Sequence, residues 1–321
     1  MRYLTEVLQH RARKKPSEPA LFYLEDGLTQ TASITNYELD TQARVIAGWL
    51  QEHNLVNQRI LLIYAPGIDF VTTLIGCWYA GAVAVPVAAL KNENPQQEKA
   101  QLKNIAQDAE IAAVFTQAHL QEIVAAAIGE LGPIYLSQEV PQTFATQFNP
   151  VNLKEHPLAY LQYTSGSTSA PKAAMVEHRH LNHSLKETIK IWAYDTQSKT
   201  LTWAPHTHVY GLVCGLLVPL YHGTPAYIVP PAAFLQKPIT WLQAIGRYAI
   251  THSGCPNFGY DVCVQQIDNS IVSDLDLSAW RVAVNGGDVV QQQTIDAFTD
   301  KFKKCGFTAK QFCSAYGMSE L

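Results

Sequence analysis

Short, continuous apolar runs alternate with stretches of helical periodicity along most of this chain. Arg59–Tyr64 (RILLIY) and Ala82–Val87 (AVAVPV) lack the polar–apolar alternation of a half-exposed strand, so they read as strands covered on both faces. Phe70 to Ala80 lies between them, reads as a helix, and stops at Gly81. The same rhythm gives strands at Ala112–Thr116 and Ile134–Leu136, and helices at Gln101–Asp108 and His119–Leu131. Asn92 to Gln101 reads as an exposed loop, and Ser137–His156, rich in Gln, Thr, Asn and Pro, as a long surface connection. Ahead of this core, Leu4 to Arg13 predicts a helix, and Ala20–Leu24 with Thr31–Thr35 a hairpin around Glu25-Asp26-Gly27. A second helix is expected from Asn36, as N-cap, through Leu50.

Leu158 to Tyr163 predicts one more buried strand, and Leu181, Leu185, Ile189 and Trp192 mark a helix from about His178. A second set of elements follows. Strands are expected at Thr200–Trp203, Pro225–Val229, Ile250–His252, Trp280–Asn285 and Lys310–Ser314, and helices at Gly211–Tyr221, Pro238–Tyr248, Tyr260–Ile267 and Gln292–Cys305. The fold class is therefore α/β, a layered sandwich of two mostly parallel sheets with flanking helices.

Composition narrows the function classes. The 321 residues suit about two domains or one large α/β domain, and 47% hydrophobic content supplies a sizeable core. A net charge of -4 with 16% charged residues leaves no concentrated basic patch, so a nucleic-acid partner is not expected. The start Met1-Arg-Tyr-Leu-Thr-Glu lacks a signal-peptide apolar core, and no apolar run approaches the ~20 residues of a membrane span. A soluble, cytoplasmic protein is the expectation. Six scattered cysteines without a C-x-x-C pair point to buried thiols, and His178, His180 and His183 lack the companions a zinc site needs.

The stretch from Leu161 to Lys172 (LQYTSGSTSAPK) holds the most chemistry. Behind an apolar strand it gathers Thr164, Ser165, Gly166, Ser167, Thr168 and Lys172: hydroxyls and backbone N–H groups to donate to anionic oxygens, and one ammonium to offset their charge. Placed between a strand and the helix at His178, it reads as a polyphosphate-gripping loop. It is not a Walker A loop, since Lys172 follows Pro171 and precedes Ala173. A solvated Ser/Thr loop and a Ser/Lys hydrolase are the alternatives the residues alone leave open.

Several segments in order resemble the large N-terminal domain of adenylate-forming enzymes, and most closely the fatty acyl-AMP ligases. They are YTSGSTSAPK (163–172), HVYGL (208–212), NGGDVV (285–290) and AYGMSE (315–320), supported by APGIDF (65–70), GCWYAGAVAVPV (76–87), FLQKPITWLQAI (234–245), THSGCPNFGYD (251–261) and LDLSAWRVAVNGG (275–287). The resemblance implies adenylation of a fatty acid by ATP and delivery of the acyl group to the phosphopantetheine arm of an acyl-carrier protein. It implies ATP phosphates on Thr164 to Thr168 and Lys172, and the adenylate on Gly286, Gly287, Asp288, Tyr316, Gly317, Met318 and Ser319. His208, Asn257 and Phe258 would face the acyl group, and Glu320 would hold Mg2+. Lys172, His208 and Glu320 would be the catalytic set.

The departures from the family pattern are Ser169 and Ala173, where glycine is usual, and Val209, where Asp is usual. They motivate a second reading, a non-catalytic acyl- or nucleotide-binding remnant; a fragment of a long-chain acyl-CoA synthetase is a third. The resemblance further implies that 1–321 is a partial adenylation domain lacking the family's barrel and small C-terminal domain. One subdomain is expected at about 56–192 and the other at 1–55 plus 193–321. With the covering strands missing, an exposed apolar face is expected near Leu201–Trp203 or Val282–Val284.

Overall fold

The structure is a computed structural model that describes residues 3–90, 94–164 and 171–317. Its strands in the first part of the chain are β1 (Pro19–Leu24), β2 (Gln30–Thr35), β3 (Arg59–Tyr64), β4 (Val83–Ala88), β5 (Ala113–Thr116), β6 (Ile134–Leu136) and β7 (Leu158–Thr164). These are followed by β8 (Lys172–Glu177), β9 (Thr200–Thr202), β10 (Ala226–Ile228), β11 (His252–Cys255), β12 (Val282–Gly286) and β13 (Phe312–Ala315). They form two sheets, and the chain divides into two compact units, one around each.

The first unit comprises the chain up to Glu18 and Thr35–Ser184. Its sheet runs β6-β5-β3-β4-β7-β8, parallel throughout except for the antiparallel pair β7–β8. Helices Ile68–Ala80, Pro95–Asp108 and Gln121–Ile128 make the crossovers between β3, β4, β5 and β6. Leu61, Ile63, Val83, Val85 and Val114 from the strands pack with Leu102, Ile105, Val124 and Ile128 from the helices. Burial on both faces is what their unbroken apolar runs require.

Three sequence expectations change here. The helix Asn36–Glu52 starts one residue earlier than expected: Thr35 is the N-cap, its hydroxyl accepting from the Glu38 N–H at 3.3 Å while the Glu38 carboxylate accepts from the Thr35 N–H at 2.8 Å. That helix belongs to the first unit rather than with 193–321, because Asp40 accepts a buried hydrogen bond from the Tyr79 hydroxyl at 2.8 Å and pairs with Arg44 at 2.6 Å. Pro95 opens a helix inside the stretch expected as loop, its missing N–H costing nothing at a first helical position.

Among the described residues, the second unit comprises Pro19–Ile34 and 185–317. Its sheet has the order β13-β12-β11-β9-β10-β1-β2, and from β13 to β1 every pairing is parallel. The hairpin expected near the N-terminus is thus the far edge of this sheet, with Leu21 opposite Ala226. Trp241, Tyr260, Trp280, Phe298 and Phe307 are fully buried in its core, with Trp241 and Trp280 edge to face at 5.3 Å. The exposed apolar face expected at Leu201–Trp203 or Val282–Val284 is not there: Leu201, Trp203, Ala283 and Val284 are all buried. Helices Ile239–Tyr248 and Asn257–Gln266 bring Trp241 and Tyr260 into that core, and Trp203 stacks on Phe234 at 3.9 Å. Neither unit contains a closed barrel among the described residues. Cys77, Cys255, Cys263 and Cys305 are buried free thiols, and no described helix is long and apolar enough to cross a membrane.

Among the histidines whose pKa burial lowers, His178 and His252 show how stability is tied to pH. His178, in the first unit, lies against Trp78, and burial lowers its pKa to about 4. His252 on β11 stacks on Tyr194 at 4.0 Å, donates from Nε2 to the Trp192 carbonyl, and is likewise lowered to about 4 by burial. Both folded values lie below the unfolded one, so the unfolded chain binds more protons; their stabilisation is present above about pH 6.5 and is lost as pH falls toward 4. Each histidine withdraws up to about 1.4 kcal/mol per pH unit across that window. The melting temperature should therefore fall between pH 6.5 and 4.5, and His252→Gln should flatten the fall; an equal slope in the variant contradicts the assignment.

Candidate functional site at the carboxyl edge of the second sheet

Parallel pairing puts the carboxyl ends of neighbouring strands on one edge, and in α/β folds that edge is where ligands bind. In the second unit the register aligns Cys255 with Asn285, and Gly286 with Ala315. Three sequence-predicted groups consequently leave adjacent strands side by side: Asn257 and Phe258 after β11, Gly286–Asp288 at the end of β12, and Tyr316 and Gly317 after β13. The segment carrying His208 follows β9 on the same edge.

The turn after β12 depends on two glycines. Gly287 has φ +86°, a left-handed conformation that side chains resist. A Cβ on Gly286 would stand 2.3 Å from the Ala315 carbonyl oxygen, so β13 can approach β12 only beside a residue without one. Beyond the turn the surface is open and apolar for a strand end: Tyr316 is 86% exposed, Val289 75% and Phe258 42%. An exposed ring at a strand end can stack on a planar base. Asp288 accepts from the Phe258 N–H at 3.4 Å, which ties the turn to the first turn of helix Asn257–Gln266.

His208 is exposed, and its Nδ1 accepts the Tyr210 N–H at 3.2 Å. The neutral ring then carries its proton on Nε2 and presents a donor, a suitable partner for a carboxylate oxygen. Val209, in place of an acid, precedes a stretch Tyr210–Leu217 wound as a π-helix, where the sequence predicted an ordinary helix. Such bulges are frequent at functional sites.

Asn257 differs from the expectation that it faces an acyl group. It is 2% exposed and starts its helix three residues before the predicted start. Its Oδ1 accepts from the Gln291 N–H at 3.0 Å and from Asn285 Nδ2 at 3.1 Å, and its Nδ2 donates to Thr294 at 2.9 Å and to Asp261 at 3.1 Å. Asn285 and Asp261 fall inside motifs quoted from the sequence but carried no assigned role there, and Gln291 and Thr294 fall outside them. The Asn257–Asp261 spacing of four was the one signal available.

In the first unit, Lys172 opens β8, is exposed, and pairs in register with Thr164. The loop therefore joins two antiparallel strands, not a strand to a helix, and it leaves the carboxyl edge of the parallel strands β4 and β7. Ser165, Gly166, Ser167 and Thr168, with Ser169, lie outside the described residues, as do Met318, Ser319 and Glu320. Among the described residues no group of three His, Cys, Asp or Glu could hold a metal ion.

Residues 8–321 match the AMP-binding enzyme family. The chain belongs to that family. It is 38% identical, over 99% of its length, to the medium-chain-fatty-acid–[acyl-carrier-protein] ligase JamA of Moorena producens (strain JHB), covering 55% of that protein. Its fold is similar to a fatty acid AMP ligase from Legionella pneumophila (TM-score 0.91, 31% identity, covering 99% of this chain and 55% of that one). It is also similar to the fatty acyl-adenylate ligase from L. pneumophila in complex with acyl adenylate and pyrophosphate (TM-score 0.90, 32% identity, covering 98% and 55%). This AMP-binding chain thus spans about half the length of the relatives it matches.

The two glycines should respond differently to substitution. Gly286→Ala forces β13 away from β12 and should lower unfolding free energy by about 1–3 kcal/mol, as overpacking does. Gly287→Ala meets only the Pro256 ring, at 4.0 Å, and should lose about 1 kcal/mol through its backbone angle. Urea denaturation of both variants checks this, and a neutral Gly286→Ala contradicts the close β12–β13 approach.

Proposed function

We propose that this chain is part of an N-terminal adenylation domain that converts a fatty acid and ATP to acyl-AMP and pyrophosphate, the acyl group then passing to the phosphopantetheine arm of an acyl-carrier protein. One observation carries the reading. The Gly286–Asp288 turn and Tyr316 stand on adjacent parallel strand ends, in a chain 38% identical along 99% of its length to a fatty-acid–[acyl-carrier-protein] ligase. An open turn beside an exposed ring suits adenine, and the AMP-binding family and an acyl-adenylate complex among its relatives favour the same ligand.

The reaction asks for charge control. A carboxylate oxygen attacks the α-phosphorus, the new P–O bond forms as the bond to the bridging oxygen breaks, and pyrophosphate leaves with the electron pair. Both reactants are anions. Lys172 and the donors of Thr164, Ser165, Gly166, Ser167 and Thr168 would bind phosphate oxygens, and Nε2–H of His208 would orient the attacking carboxylate. Mg2+ accompanies ATP in such reactions and lowers the charge on its phosphates; here it would rest on Glu320, with Ser319 and Met318 beside the adenylate. A medium-length acyl chain is the substrate class favoured, and Phe258 and Val289 offer apolar surface to it.

Decanoate-dependent exchange of labelled pyrophosphate into ATP tests the proposal. Exchange is expected to require decanoate, and Lys172→Ala should lower it at least tenfold with little change in melting temperature. Tight binding of decanoylsulfamoyl adenosine with no exchange favours the non-catalytic remnant that Ala173 and Val209 motivate. Binding of neither ATP nor that analogue overturns the reading.

A further inference from the structure

We propose that Asn257 is a positioning residue for the segment Gly286–Val290, the nucleoside-facing turn of the reading above, and not a contact to the acyl group. An Asn side chain offers two N–H donors and one oxygen with two lone pairs, and Asn257 has all of them engaged inside the protein. The amide orientation is fixed by its partners, since the Gln291 N–H needs an acceptor and the Asp261 carboxylate needs a donor. Nothing is left over for a ligand.

The two bonds to its oxygen come from the two stems of one turn. Asn285 is the last residue before Gly286, and Gln291 the first after Val290, so a single buried oxygen sets the distance between them. The other two bonds anchor the amide to Thr294, on helix Gln292–Phe302, and to Asp261, on its own helix. Between the stems the middle of the turn is held from the same place, because Asp288 accepts from the N–H of Phe258, the next residue along from Asn257. Within the turn, Gly287 takes its left-handed angle at an exposed position with no side chain to fix it. The turn's shape is therefore set from beneath by Asn257. Losing the amide frees the Gln291 stem from the Asn285 side chain, which β12 still holds, and leaves buried groups unpaired.

The inference predicts a selective defect. In Asn257→Ala, calorimetry should find binding of ATP and of decanoylsulfamoyl adenosine weakened at least tenfold, with decanoate affinity within twofold of wild type. Asn257→Asp combined with Asp261→Asn exchanges donor and acceptor across that pair while keeping an oxygen for Gln291 and Asn285, and should restore nucleotide affinity to within about threefold. Phe302→Leu, a cavity in the same core, should lower the melting temperature without separating the two affinities. A loss confined to decanoate, or a parallel loss of both ligands tracking stability as in Phe302→Leu, overturns the proposal. Should Asn257→Ala fail to fold, Thr294→Val, which removes one anchoring bond, should show the same selectivity in weaker form, and loss of both ligands together overturns it. If wild type binds no nucleotide, the adenylation reading fails and hydrogen exchange decides: backbone amides from Gly286 to Gln291 should exchange at least tenfold faster in Asn257→Ala or Thr294→Val than in wild type, and unchanged rates sink the clamp itself.

Discussion

Parallel pairing of β11, β12 and β13 is the constraint on which the site in the second unit depends. Its register places Cys255, Asn285 and Ser314 across from one another, so the residues that follow each strand emerge on the same edge. Parallel strands require crossovers, and helices Asn257–Gln266 and Gln292–Phe302 supply them while covering one face of the sheet with Tyr260, Phe298 and Phe302. Covering that face and building the edge are thus one act of packing. The aromatic core around Trp280 packs the strands beneath the edge, and the glycines of the turn and the exposed rings stand above it.

The same logic explains why polar groups are buried where they are. Trp241 and Trp280 each direct an indole N–H at β11, to the Ser253 hydroxyl at 2.9 Å and the Ser253 carbonyl at 3.3 Å, so the large rings are held by hydrogen bonds as well as by packing. Lys301 reaches the Val264 and Ile267 carbonyls, closing the far end of helix Asn257–Gln266. Asn257 performs the corresponding task at the near end of that helix, and it connects the helix to the turn rather than only finishing it. Side chains that satisfy one element thereby fix the next.

The long elements were legible because period alone marks them: β3, helix Ile68–Ala80 and helix Ile239–Tyr248 fall within two residues of their expected bounds. The family was legible too, since ordered motifs from residue 65 to 320 carry it. Two kinds of feature were not. β8 (KAAMVE) is a half-exposed edge strand following Pro171, and with Met175 67% exposed it shows neither a buried run nor clean alternation. The burial of Leu201–Trp203 and of Ala283 and Val284 was missed for a related reason: Trp203 is covered by Phe234 of a short helix that was not expected at all. The role of Asn257 was hidden because three of its partners lie 28, 34 and 37 residues away, and no local pattern encodes contacts at such separations.

The central claim is that the carboxyl edge of the β11–β12–β13 sheet receives the nucleoside. Photolabelling with a 2-azidoadenosine form of decanoylsulfamoyl adenosine, followed by peptide mapping, tests it most directly. Labels confined to peptides containing Asn257–Phe258, Gly286–Val290 or Tyr316–Gly317, and suppressed by excess ATP, are the predicted result. Competable labelling concentrated at the amino edge of the same strands, near Thr251 or Arg281, would contradict it.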